Sequence, residues 1–203
     1  MTTQILVPLD GSALAERALS CAAMLAKALP ADLVLFRAVS ISPDYEILGH
    51  TLHNVEAHME RLDAEANDYL GQVAGRLRTA GVAVHTVVRR GPAAEAIVDY
   101  AEQMDIQQIV MSTHGYSGIS RWRHGSVAER VLQSAGVPVL MICATGGEAM
   151  SQEPMTCQRI LVPLDGSDRA EQVLPPAVSV ARALDAEIVL FRVPIAHVSG
   201  GSY

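Results

Sequence analysis

Three short segments of this 203-residue chain hold the residue types that could do chemistry. The first is VPLDGS (7–12), the second MSTHG (111–115), and the third the glycine-flanked GSVAE (125–129). Glycine brings backbone amides close to a ligand without interference from a Cβ atom. A Gly-Ser pair opening a helix adds the unpaired amides and the positive dipole end of its first turn. Together such groups make an anion cradle of the kind that receives phosphate oxygens. Asp10 offers the complementary chemistry, because a carboxylate accepts hydrogen bonds from sugar hydroxyls. Between the glycines lie Arg121, Trp122, Arg123 and His124, a local source of positive charge.

The elements that position these residues are legible from periodicity. QILVPL (4–9) is an apolar β-favouring run that ends at Asp10-Gly11. The apolar positions from Leu14 to Leu29 then recur at helical spacing, with Ser12 in the N-cap position and Pro30 as the stop. DLVLFRAV (32–39) reads as a second strand. A long helix runs from Val55 to Leu77 and is closed by Gly81. VAVHTVVRR (82–90), a helix from Pro92 to Met104, IQQIVMS (106–112), a helix from Ser126, and VPVLMIC (137–143) complete the series. Five strands alternating with four helices predict an α/β, doubly wound, mainly parallel sheet covered on both faces. In such a sheet ligands bind beyond the carboxyl ends of the strands, where Asp10 and Ser112 both fall.

The sequence also repeats itself. Residues 5–37 align without a gap with residues 160–192, and 20 of the 33 pairs are identical. This predicts a first domain over 1–143, a linker over 144–157 rich in glycine and small polar residues, and a shorter second copy over 158–203 read as strand, helix and strand. Pro175 and Pro176 align with Ser20 and Cys21, so the helix of the copy should kink or restart there.

With these residues in view, the chain resembles the universal stress protein family, whose nucleotide-binding members carry a Gly-x2-Gly-x9-Gly-Ser/Thr pattern after the fourth strand. Here the pattern runs Ser112, Gly115, Gly125 and Ser126, so a serine stands at its first glycine and adds a hydroxymethyl group there. The resemblance spans residues 4–143 and implies a Rossmann-like sheet of strand order 3-2-1-4-5. It further implies ATP as ligand, with Mg2+. Pro8, Asp10 and Ala38 would border the adenosine, Met111 and Ser112 the ribose, and Gly115, Gly125, Ser126 and Val127 the phosphates, with His114 beside them. The family resemblance also implies dimerisation through the fifth strand, Val137 to Cys143, in tandem members between the two domains of one chain; because the shorter copy here lacks the residues of a fifth strand, pairing with a second chain is expected instead.

Composition narrows the alternatives. Fifteen Lys and Arg against 22 Asp and Glu give a formal net charge of -7, which argues against nucleic acid or an anionic membrane as partner. No apolar run reaches the length of a membrane span and the amino terminus lacks the pattern of a secretion signal, so the expected address is the cytoplasm. His50, His53 and His58 lack the spacing of a zinc site and read as a solvated face. No GxxxxGK[ST] loop, Gly-x-Ser-x-Gly elbow or HExxH helix occurs, so binding rather than turnover is expected. Ser126 and Glu129 also spell a capping box, and Asp10-Gly11 a simple turn; both are compatible with ligand contact. The alternative function is a nucleotide-free, dimerising interaction protein of the same fold.

Overall fold

The computed structural model of the chain describes residues 3–40, 52–114, 126–144 and 157–192. The chain divides into two compact units, Met1–Met155 and Thr156–Tyr203.

In the first unit, β1 (Thr3–Pro8), β2 (Ala31–Val39), β3 (Val84–Arg90), β4 (Gln108–His114) and β5 (Val139–Ala144) form one sheet in the order β3-β2-β1-β4-β5. Every pairing is parallel. The helices are α1 (Ala18–Ala28), α2 (Leu52–Thr79), α3 (Ala93–Gln103) and α4 (Ser126–Ser134). The expected sheet and its strand order are therefore present.

Strand alternation explains the layering. On β2, Val34 and Phe36 face a core shared with Leu6 of β1, Ile97 and Tyr100 of α3, and Val131 of α4. The Phe36 and Tyr100 rings are 5.3 Å apart in a tilted arrangement. Leu33 and Leu35 alternate with these and are equally buried. Such near-continuous burial along β1 and β2 is what a central parallel strand requires. On α2, Met59, Ala66 and Val73 recur every seven residues and are buried, so one face of this 28-residue helix meets the sheet.

Several boundaries differ from the expected ones. The first helix does not begin at Ser12: a 3-10 turn over Ala15–Arg17 precedes α1. Ser12 does cap, since its Oγ accepts from the Ala15 amide at 3.1 Å, but what it caps is that turn. Three strands begin two residues later than expected, at Val84, Gln108 and Val139; before the first two, the preceding residues complete helix-end turns, the Val82 amide donating to the Leu77 carbonyl and that of Ile106 to Ala101. The long helix closes at Gly81 as expected, with φ +80°.

The second unit holds β6 (Arg159–Pro163), a four-residue helix α5 (Asp168–Glu171), α6 (Leu174–Leu184) and β7 (Glu187–Phe191). The helix of the copy does restart: α6 begins at Leu174 with prolines in its first turn, where a missing amide costs no helical bond. β6 and β7 pair in parallel with Arg159 opposite Glu187, the register in which Gln4 faces Asp32.

Candidate functional site

The site lies where the carboxyl ends of β1, β2 and β4 meet. β1 and β4 are neighbours, with Leu6 opposite Ile109, so the Asp10 turn and the end of β4 leave the sheet at the same edge. A cleft opens there, enclosing roughly 850 Å³ of space with its solvent-filled mouth included. Pro8, Asp10, Ala38, Met111, Ser112, Ser126 and Val127 line it, seven of the residues anticipated from sequence. His114 ends β4, but its side chain lies outside the described atoms, and Gly115 and Gly125 fall outside the described residues. Arg121, Trp122, Arg123 and His124 fall outside them as well.

The walls are apolar and the rim is polar. Leu14, Phe36, Ile97, Met111 and Val127 supply the first, and Asp10, Ser12, Ser112 and Ser126 the second. Helix α4 opens at Ser126 on the rim and α3 opens at Ala93 on the wall, so two helix N-termini converge on the cleft and bias it toward anions. A flat apolar group with a polar, negatively charged tail fits that distribution.

Asp10 has an internal role beside its place on the rim. Its Oδ1 accepts from the Ser12 amide at 2.8 Å, forming an Asx turn around Gly11. Gly11 has φ +89°, and the Arg37 guanidinium lies 3.4 Å from where a Cβ would stand, so conformation and space both select glycine. The turn and the cleft-lining position are compatible, because the carboxylate has a second oxygen.

Ser112 sits in the regular β4 ladder opposite Ile142. It is not among the described residues with positive φ, so serine is held here without backbone strain. It is half-buried and contributes to the cleft wall.

Sequence reasoning missed a polar cluster behind the Asp10 turn. The Tyr69 hydroxyl donates to Glu16 Oε1 at 3.1 Å, and Arg76 donates to Glu16 Oε2 at 2.7 Å. The Arg37 guanidinium lies over the Tyr69 ring. Burial, and after it the neighbouring Glu16 carboxylate, push the Tyr69 phenol well above its ordinary value. The one available signal was the repeat, since Glu16 and Arg37 both recur 155 residues later as Glu171 and Arg192. Cleft residues such as Ala93 and Ile97 were also missed, because they come from a helix with no polar motif.

Elsewhere, His58 Nδ1 lies 3.0 Å from Arg61 Nη2, and no cluster of potential metal ligands occurs among the described residues. No helix among the described residues is long and apolar enough to cross a membrane.

Comparison with known proteins agrees with this architecture. The sequence model of the Universal stress protein family matches residues 1–142. Universal stress protein MJ0531 of Methanocaldococcus jannaschii is 34% identical over 139 residues, which is 68% of this chain and 81% of that protein. A universal stress protein from Archaeoglobus fulgidus DSM 4304 superimposes with a TM-score of 0.72 at 21% identity, matching 95% of this chain to 67% of its own. A universal stress protein solved in complex with cAMP superimposes with a TM-score of 0.53 at 22% identity, over 71% of this chain and 98% of its own. On the family match and the MJ0531 relationship, the chain belongs to the universal stress protein family.

Proposed function

We propose that the first unit binds an adenine nucleotide, ATP with Mg2+, and acts as a nucleotide-responsive stress or signalling module. The observation that carries this reading is the cleft itself, which brings Asp10, Met111 with Ser112, and Ser126 with Val127 together from segments far apart in sequence. The apolar wall suits a purine, with Pro8 and Ala38 beside it. Asp10 is the acceptor for ribose hydroxyls, next to Met111 and Ser112. The phosphates belong at the opening of α4, against Ser126, Val127 and the amides of Gly115 and Gly125, with His114 nearby. Mg2+ travels with the triphosphate and is held mainly by its oxygens. That a protein of the same fold has been solved with cAMP supports an adenine nucleotide as the ligand class.

The reading is one of binding. A lysine clamp on the phosphates, one of the parts of a fast phosphoryl-transfer site, has no counterpart among the described cleft residues. The proposed homodimer forms through β5, which lies at the sheet edge and pairs with β4 alone among the described strands. Cytoplasmic location accords with this role.

The test is titration of the full chain with ATP and magnesium, followed by calorimetry and by the fluorescence of Trp122, which lies in the proposed phosphate loop. Saturable heat and a matching fluorescence change are expected. A silent calorimeter, with a dimer still present in sedimentation, would replace this reading with a nucleotide-free interaction protein.

A further inference from the structure

The segment that follows β1 has two sides. Asp10, Ser12, Leu14 and Ala15 line the cleft, and the next residue, Glu16, accepts instead from Tyr69 and Arg76 of α2. The end of β2 divides in the same way. Phe36 and Ala38 line the cleft, and Arg37 between them points to the opposite face of the sheet, toward α2. There its guanidinium packs 3.4 Å from the Cβ position of Gly11 and over the Tyr69 ring. The Leu9 amide donates to the Phe36 carbonyl at 2.8 Å, which ties the end of β2 to the start of the Asp10 turn.

Arg37 is half-buried, and among the described residues no carboxylate lies within ion-pairing distance of it. The turn and the ring are therefore its two described neighbours. Asp10 belongs to the same electrostatic neighbourhood. The Tyr69 phenol is raised first by burial and then by Glu16, with Asp10 adding to the rise and Arg37 opposing it. One cation thus touches the cleft-lining turn on one side and helix α2 on the other.

On the premise that the cleft takes an adenine nucleotide, we propose that Arg37 is a positioning residue for it, steadying the Asp10 turn, and that through its contact with Tyr69 it carries the occupancy of the cleft to α2. A bound triphosphate brings negative charge to the far side of the turn. Screening by water and salt is weak at a half-buried guanidinium, so Arg37 is drawn toward the turn and loosens on the ring. Coupling of this kind acts equally in both directions. A contact that ATP weakens is one whose loss strengthens ATP binding, and α2 is the responsive element.

The test is calorimetric titration of the full chain with ATP and magnesium, beside nuclear magnetic resonance of the tyrosine rings. Tyr69 is identified by the signals that Tyr69→Phe removes. Arg37→Ala should weaken ATP binding about tenfold. Tyr69→Leu releases the guanidinium and should tighten binding about threefold while the fold loses stability, a gain that a merely structural tyrosine does not give. Tyr69→Phe keeps the ring and should bind as the parent does. Val73→Ala thins the buried face of α2 without touching the cluster, and should leave affinity unchanged although it too destabilises. In the nucleotide-free chain, Gly11→Ala should shift the Tyr69 ring signals, and should fail to do so in an Arg37→Ala background. This last comparison needs no ligand. A parent chain that binds no ATP removes the nucleotide reading, and the Gly11→Ala shift then decides whether turn and helix are linked. ATP affinity that Arg37→Ala leaves unchanged, weaker or unchanged binding in Tyr69→Leu, or Tyr69 signals that ignore Gly11→Ala, overturns the proposal.

Discussion

The Arg37 guanidinium carbon lies 5.2 Å from the centre of the Tyr69 ring. One side of this contact is the end of β2, packed over Gly11 in the Asp10 turn; the other is helix α2, anchored through Glu16. The rim of the cleft and an outer helix thus share one cation.

Tyr69 should titrate late. Burial and Glu16 both favour the neutral phenol, so its folded pKa is raised above the ordinary 10.0. The sign follows: this group's contribution to stability is fully present below the unfolded value and is lost as pH climbs toward the folded one. Absorbance titration of the phenolates should resolve a tyrosine that ionises well above the rest, and Tyr69→Phe should remove it. The same variant should destabilise the first unit by about 1 kcal/mol through loss of the Glu16 hydrogen bond.

Two glycines should respond to alanine in opposite directions. Gly11→Ala forces a side chain into a left-handed turn against Arg37 and should cost about 1–2 kcal/mol in urea unfolding. Gly71→Ala lies inside α2 with nothing within 4 Å of the new methyl, and should gain about 0.5–1 kcal/mol. Equal effects at the two positions would contradict the geometry.

The repeat supplies a matched pair of core tests. Phe36 is 0% exposed and Phe191, its counterpart, is 50% exposed. Phe36→Ala should cost about 3–5 kcal/mol, and Phe191→Ala should fall within about 0.5 kcal/mol of the parent. Thermal and urea unfolding followed by circular dichroism will distinguish them.

Ser112 decides how strict the glycine pattern is. Because it occupies an unstrained strand position on the cleft wall, Ser112→Gly should change ATP affinity by less than about threefold. Ser112→Leu should fill the cleft and abolish saturable binding while leaving the circular dichroism spectrum intact. A large gain in affinity from Ser112→Gly would mean that the hydroxymethyl group obstructs the ligand.

The sheet could be anticipated because its strands carry their burial in their own composition: ILV on β1 and LVLF on β2 are apolar on both faces, as only central parallel strands are. Strand order was not in the periodicity and came from the family pattern. The cleft was legible where polar residues lie at strand ends, as Asp10 and Ser112 do, and illegible where α3 contributes Ala93 and Ile97, ordinary residues of an amphipathic helix. The Glu16 cluster escaped for a different reason. Its partners lie 53 and 60 residues away, and local sequence carries no sign of a contact at that range.

The turn at Gly11 is held by an aspartate, a serine and an arginine, and the turn at Gly166 reproduces it although the strands beside it expose Leu161 and Leu190 to solvent. Its shape is therefore self-contained, fixed by about thirty residues and independent of how deeply the surrounding sheet is enclosed. A segment with that autonomy can be copied, spliced or grafted as a unit, carrying a preshaped acidic loop into a new host before any core has grown around it.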